Sequence, residues 1–194
     1  MGLAAARAAT RDLHRALEAD VDPERIFASL DGYRDFLTRL HRFHGAAAPQ
    51  VAAAAALLPD LPPAPPRVAR LEADLRALGV APTTASDASA AAAAAVDLPS
   101  PLDADHAAGL VYGVEGSALG GAVLARMARK RLGLEAATGA SFFTGDAGDL
   151  GPRWKRVAAA IDRHDAAGVV AGAVATFAAM RAVLVDDPAP APAA

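Results

Sequence analysis

Alanine accounts for 55 of the 194 residues of this chain, and this bias constrains the fold more than any single motif does. Alanine is the best helix former and brings little surface to a core. Although 54% of the residues are hydrophobic, the larger apolar side chains therefore make up only about a quarter of the chain. A thin core between closely packed helices is what such a composition allows. No window alternates apolar and polar residues over strand length with β-branched enrichment, whereas helical spacing recurs throughout. The expected fold class is all-α, a single-domain helical bundle, since 194 residues is the size of one domain.

Helices are expected over about residues 3–19, 31–56, 68–78, 103–132, 152–164 and 166–185, the second carrying the apolar stripe Phe36, Leu37, Leu40, Phe43 and Ala47. Pro23 stands where a short second helix would begin, and Leu61-Pro62-Pro63-Ala64-Pro65-Pro66 stops the long helix. Residues 80–100 read as a loop or short helix without chemistry, and residues 186–194 as a disordered Pro-Ala tail following a domain of residues 1–185. Residues 107–128 and 166–185 are long and weakly polar but hold Glu115 and Arg181. A charge within a span costs about 2.5–3.5 kcal/mol, which alanine and glycine barely offset, so buried bundle helices are expected and no membrane partner.

Met1 to Thr10 has no apolar segment behind a basic one, so no signal peptide is read and a cytoplasmic location is expected. With 19 basic and 22 acidic residues and a net charge of -3, the chain lacks the positive field that nucleic-acid binding requires. The absence of cysteine excludes disulfides, thiolate metal sites and cysteine nucleophiles. No Ser-His-Asp elbow, phosphate loop or dinucleotide fingerprint is present. A metal would have to be held by histidine, carboxylate or a prosthetic group.

Two stripes carry possible chemistry. Arg7, Arg11, His14 and Glu18 follow one another at steps of four, three and four, on one face of the first helix. Glu18, one turn beyond His14, can hold the ring proton on Nδ1 and leave Nε2 free for a metal, with the two arginines placed for carboxylates of a ligand centred over His14. A solvated polar face has the same spacing. Gly109, Gly113, Gly116 and Gly120 repeat the same steps, and Gly121 follows directly. Helix-interior glycine costs about 1 kcal/mol relative to alanine. Two accounts of that cost stand side by side: a seam against another helix, or a flat ligand lying against the backbone of a kinked helix.

The segment Leu110-Val111-Tyr112-Gly113-Val114-Glu115-Gly116-Ser117-Ala118-Leu119-Gly120-Gly121 resembles the distal-helix signature of biliverdin-producing heme oxygenases, particularly bacterial ones. Ala9-Thr10-Arg11-Asp12-Leu13-His14-Arg15-Ala16-Leu17-Glu18 is similar to that family's proximal-ligand helix, and Ser141-Phe142-Phe143-Thr144-Gly145 with Trp154 to its later segment. The resemblance implies a heme oxygenase-type bundle in which heme b is both substrate and cofactor. O2 and an external electron donor such as ferredoxin or flavodoxin would open the ring to biliverdin, CO and ferrous iron. His14 would be the iron ligand and Glu18 its partner. Arg7, Arg11 and Lys155 would lie near the propionates, with Arg156 a neighbour, and Tyr112 would line the heme. Gly116, Ser117, Gly120 and Gly121 would form the catalytic distal segment. Ser117 stands where some members carry an acidic residue, Asp146 where several place an aromatic, and Ala159 where a second basic contact would be expected. The chain is expected to act as a monomer. A heme carrier or sensor without turnover, and a helical interaction protein, are the alternatives. His41 and His44 read as a packed or partly exposed pair, and His106 and His164 as helix-end charges.

Overall fold

The structure, a computed structural model, describes residues 1–80, 96–98, 100–145 and 148–186. Most of the 80–100 stretch, Asp146 and nearly all of the Pro-Ala tail lie outside these residues. Among the described residues every regular element is helical, as the alanine content and spacing predict. The elements are α1 (Gly2–Val21), α2 (Pro23–Ile26), α3 (Leu30–Leu57), α4 (Arg67–Ala77), α5 (Ala104–Gly116), α6 (Gly121–Leu132), α7 (Ser141–Thr144), α8 (Leu150–Ile161) and α9 (Ala166–Arg181). Single 3-10 turns lie at Ser117–Gly120 and Ala136–Thr138, and a wider π turn at Ala182–Asp186.

Local chemistry accounts for the boundaries. Asp22 takes the left-handed conformation at φ 41° that ends α1, and its carboxylate accepts the Arg25 N–H at 3.3 Å to start α2 behind Pro23. Ser29 accepts the Gly32 N–H at 3.0 Å, Asp103 that of His106 at 2.8 Å, and Asp165 that of Ala167 at 2.9 Å. The short α7 is capped from another helix, because the buried Asp74 of α4 accepts the Ser141 and Phe142 N–H groups, each at 2.8 Å.

The expected single helix over 103–132 is two helices. The break follows from composition: Gly116, Gly120 and Gly121 bring no side chains to hold the ladder straight, and the Ser117 hydroxyl donates to the Val114 carbonyl at 2.8 Å. The two long apolar stretches pack as bundle helices, half of the most apolar window of Ala104–Leu132 and 44% of that of Ala166–Val185 being buried.

The 28-residue α3 joins two core clusters. Its first half places Tyr33, Phe36, Leu37 and Leu40 with Phe27, Leu71 and Leu75. Its second half places Phe43, Ala47, Val51 and Ala54 with Val111, Val157, Ile161, Val169 and Phe177. In this second cluster α1, α5 and α9 run in the same direction away from the 162–165 turn. Gly2 lies against Val169, His14 against Phe177, and Asp20 pairs with Arg181. On the other side Gly168 lies against Asp105, Gly109 against Val169 and Ala173, and Gly113 against Thr176.

Contact between α5 and α9 is backbone to backbone. A Cβ added at Gly109 would lie 2.2 Å from the Val169 carbonyl oxygen, and one at Gly172 would lie 2.2 Å from that of His106. A Cβ at Gly113 would lie 2.5 Å from Thr176 Cγ2. Such an approach is how a chain with few large side chains still excludes water from its core.

Candidate functional site

Thr10 and Tyr112 tie α1 to α5. The buried Thr10 hydroxyl donates to the Ala6 carbonyl at 2.8 Å and shares a 3.2 Å hydrogen bond with the Tyr112 hydroxyl. Because the two helices run in the same direction, His14 and Gly116 each lie four residues beyond this bond, about 6 Å further along.

Half of the His14 side chain is accessible, at 52%. Its Nδ1 lies 3.4 Å from Glu18 Oε2, one turn on, longer than a good hydrogen bond. Its other ring flank rests on Phe177, with centroids 5.9 Å apart. The i,i+4 contact is the one expected from the spacing, without a closed hydrogen bond, and Nε2 has no partner among the described residues. Arg7 and Arg11 are exposed on the same face of α1, and Lys155 of α8 is exposed as well. Arg156 is paired with Asp149 at 3.3 Å.

Beyond the Thr10–Tyr112 bond the glycine stripe changes character. Gly109 and Gly113 face α9 and form the seam. A Cβ at Gly116, by contrast, would meet only the Trp154 ring at 3.7 Å, and one at Gly120 would meet nothing within 4 Å. The seam account therefore holds for Gly109 and Gly113, whereas Gly116 and Gly120 leave open space beside the backbone. Gly121 belongs to neither half: it is buried, and a Cβ there would lie in ordinary contact with Phe143, 3.5 Å from its carbonyl oxygen. Ser117 is exposed, its hydroxyl engaged with Val114. Trp154 and Tyr112 wall the open side, their rings 6.2 Å apart. Room beside bare backbone, apolar aromatic walls and one accessible imidazole fit a flat, metal-bearing macrocycle with peripheral carboxylates.

The remaining histidines sit in other settings. His41 lies 3.6 Å from Glu72. His164 pairs with Asp105 at 2.9 Å and is more buried than a solvated helix-end charge. His44 is buried between Phe43 and Phe142, and burial, then the charge of Arg67, lowers its pKa to about 3. It stays neutral at physiological pH. No group of three or more metal-binding side chains occurs among the described residues.

Sequence reasoning missed a buried ion cluster beside the turn. Glu115, only 5% exposed, receives two N–H groups from Arg67 at 2.9 and 3.0 Å and two from Arg153, both at 3.0 Å. Burial by itself would raise the Glu115 carboxyl, but the hydrogen bonds and charges of the two arginines outweigh it and hold it down at about 2. The sequence did contain a signal: an isolated glutamate in an apolar helix is buried only if cations come to it.

The heme oxygenase family model matches residues 3–186. The structure of a heme oxygenase from Leptospira interrogans superposes with a TM-score of 0.74 at 18% identity, covering 96% of this chain and 100% of that one, a likeness of fold. No curated protein matches the chain significantly.

Proposed function

This chain belongs to the heme oxygenase family of heme-degrading oxidoreductases, and from that premise we propose that one heme b binds between α1 and the broken α5–α6 segment and is cleaved to biliverdin, CO and ferrous iron. The observation that carries this reading is the pairing of a half-exposed His14, with Glu18 one turn on at 3.4 Å, with the open turn at Gly116 and Gly120 one helical turn beyond the Thr10–Tyr112 bond.

In this reading His14 Nε2 would ligate the iron, and Glu18 would keep the ring proton on Nδ1. Arg7 and Arg11, with Lys155 opposite, bind the propionates and fix the rotation of the macrocycle. Gly116, Ser117 and Gly120 would present bare backbone to the bound group, where a side chain would take the space of a small ligand, and Gly121, packed against Phe143, would hold that segment in place. Tyr112 and Trp154 keep bulk water from that side. Bound heme supplies both the iron centre that activates O2 and the ring that is oxidised. Electrons come from an external donor such as ferredoxin or flavodoxin, and the protein acts as a cytoplasmic monomer.

The test is an absorbance titration with hemin, followed by turnover. With O2, ascorbate or ferredoxin and its reductase, and catalase present, the Soret band should decay while a broad bilin band grows. Heme that survives repeated reduction supports a carrier or sensor instead, a reading favoured by the lack of an acidic side chain at Ser117. Absence of hemin binding leaves the helical interaction protein.

A further inference from the structure

The Arg67–Glu115–Arg153 cluster lies directly beside the open turn, and the reaction as proposed does not use it. Two planar guanidinium forks on one carboxylate fix its position in every direction. The arginines come from different elements, Arg67 at the start of α4 and Arg153 within α8. Arg153 also donates to the carbonyls of Pro62 and Pro63. Three elements and the proline run thus converge on the residue preceding Gly116, where α5 ends. The residue following Arg153 is Trp154, whose ring is the sole neighbour of a Cβ placed at Gly116. A buried ion pair is no better for stability than apolar side chains of similar volume, whereas its geometry is far more exacting.

We propose that Glu115, gripped by Arg67 and Arg153, is a positioning residue that sets the end of α5 and the Trp154 indole as the two walls of the open turn, and thereby the edge of the heme presented to the chemistry. The second half of this statement rests on the function proposed above; the first does not. Trp154 is the sole tryptophan of the chain, so its fluorescence reports the wall directly in the heme-free protein.

Glu115→Gln keeps the shape and removes the charge, replacing one acceptor oxygen with an amide NH2 that cannot accept from a guanidinium. In the heme-free variant, Trp154 emission should shift to longer wavelength and acrylamide quenching should rise while far-UV helicity is kept. In the heme-loaded variant the His14-ligated spectrum and hemin affinity should be retained. Turnover should fall by about ten- to a hundredfold with an altered ratio of bilin isomers, as for a group displaced by about 1 Å. Arg153→Lys, which keeps the charge but not the fork, should show the same pattern more weakly. Should Glu115→Gln not fold, the triple variant Arg67→Met, Glu115→Leu, Arg153→Met removes the ions together and is read in the same way. A folded variant with native Trp154 emission, turnover and isomer ratio overturns the proposal, and so does loss of folding in both variants, which would make the cluster a support of the whole fold. Failure of the unaltered protein to bind or degrade heme defeats the functional reading alone, because the heme-free fluorescence still decides the positioning.

Discussion

At the scale of single residues, accessibility separates His14 from the other histidines. His41 and His44 are 9% and 4% exposed, and His164 is held by Asp105, while His14 keeps one ring nitrogen open. His14→Ala should therefore abolish the spectrum of a histidine-ligated heme and weaken hemin binding. Glu18→Ala should keep that spectrum and cost no more than about tenfold in affinity, because the carboxylate is 68% exposed and its contact with the ring is screened. Optical titration of both variants checks this. Survival of the spectrum in His14→Ala, with its loss in His41→Ala or His106→Ala, would show that another histidine is the ligand.

At the scale of elements, one four-three-four glycine pattern serves two purposes along α5 and the turn after it. Substituting the seam half should cost stability whether or not heme is present. Gly109→Ala and Gly172→Ala each set a Cβ 2.2 Å from a carbonyl oxygen of the facing backbone, and such overpacking costs about 1–3 kcal/mol. The open half behaves oppositely. Gly120 has φ −74° and ψ −14°, which any residue adopts, and a Cβ there meets nothing. Gly120→Ala should leave the heme-free protein as stable or raise it by up to about 1 kcal/mol, while Gly120→Leu should obstruct heme or O2 without unfolding the chain. Thermal melts with and without hemin distinguish the halves. A collapse of heme-free stability in Gly120→Leu with hemin binding intact would mean that this half is also a seam.

At the scale of the whole molecule, two buried groups whose pKa is lowered on folding, His44 and Glu115, make the fold acid-sensitive. His44 has a folded pKa of about 3 against an ordinary 6.5, so the unfolded chain takes up the proton first and stability falls as pH drops from 6.5 toward 3. Glu115, lowered to about 2 from 4.5, contributes stability that is complete above 4.5 and lost as pH falls toward 2. Urea midpoints should therefore fall below pH 6.5 through His44 alone and more steeply below 4.5, where the Glu115 window overlaps it. His44→Leu should flatten the slope above pH 4.5 and leave the Glu115 contribution below it. An unchanged slope between pH 6.5 and 4.5 in that variant would remove His44 from the account.

Much of this architecture was legible in the residue order, because it rests on interactions within a few positions of the chain. Helical periodicity, the Asp22-Pro23 junction and the shared face of Arg7, Arg11, His14 and Glu18 all follow from the helical repeat and short-range capping, and the structure shows them in place. The glycine stripe was legible as an anomaly but not as a seam at one end and an open turn at the other. That distinction depends on where α9 and Trp154 come to lie. The lone Glu115 was likewise legible as an anomaly, but its partners were not. Its arginines stand 48 and 38 residues away in the chain, and no local rule selects them from the other basic residues. Only the packing of α4 and α8 against the end of α5 brings them to one carboxylate, since burial of that charge is tolerable solely when the cations arrive with it.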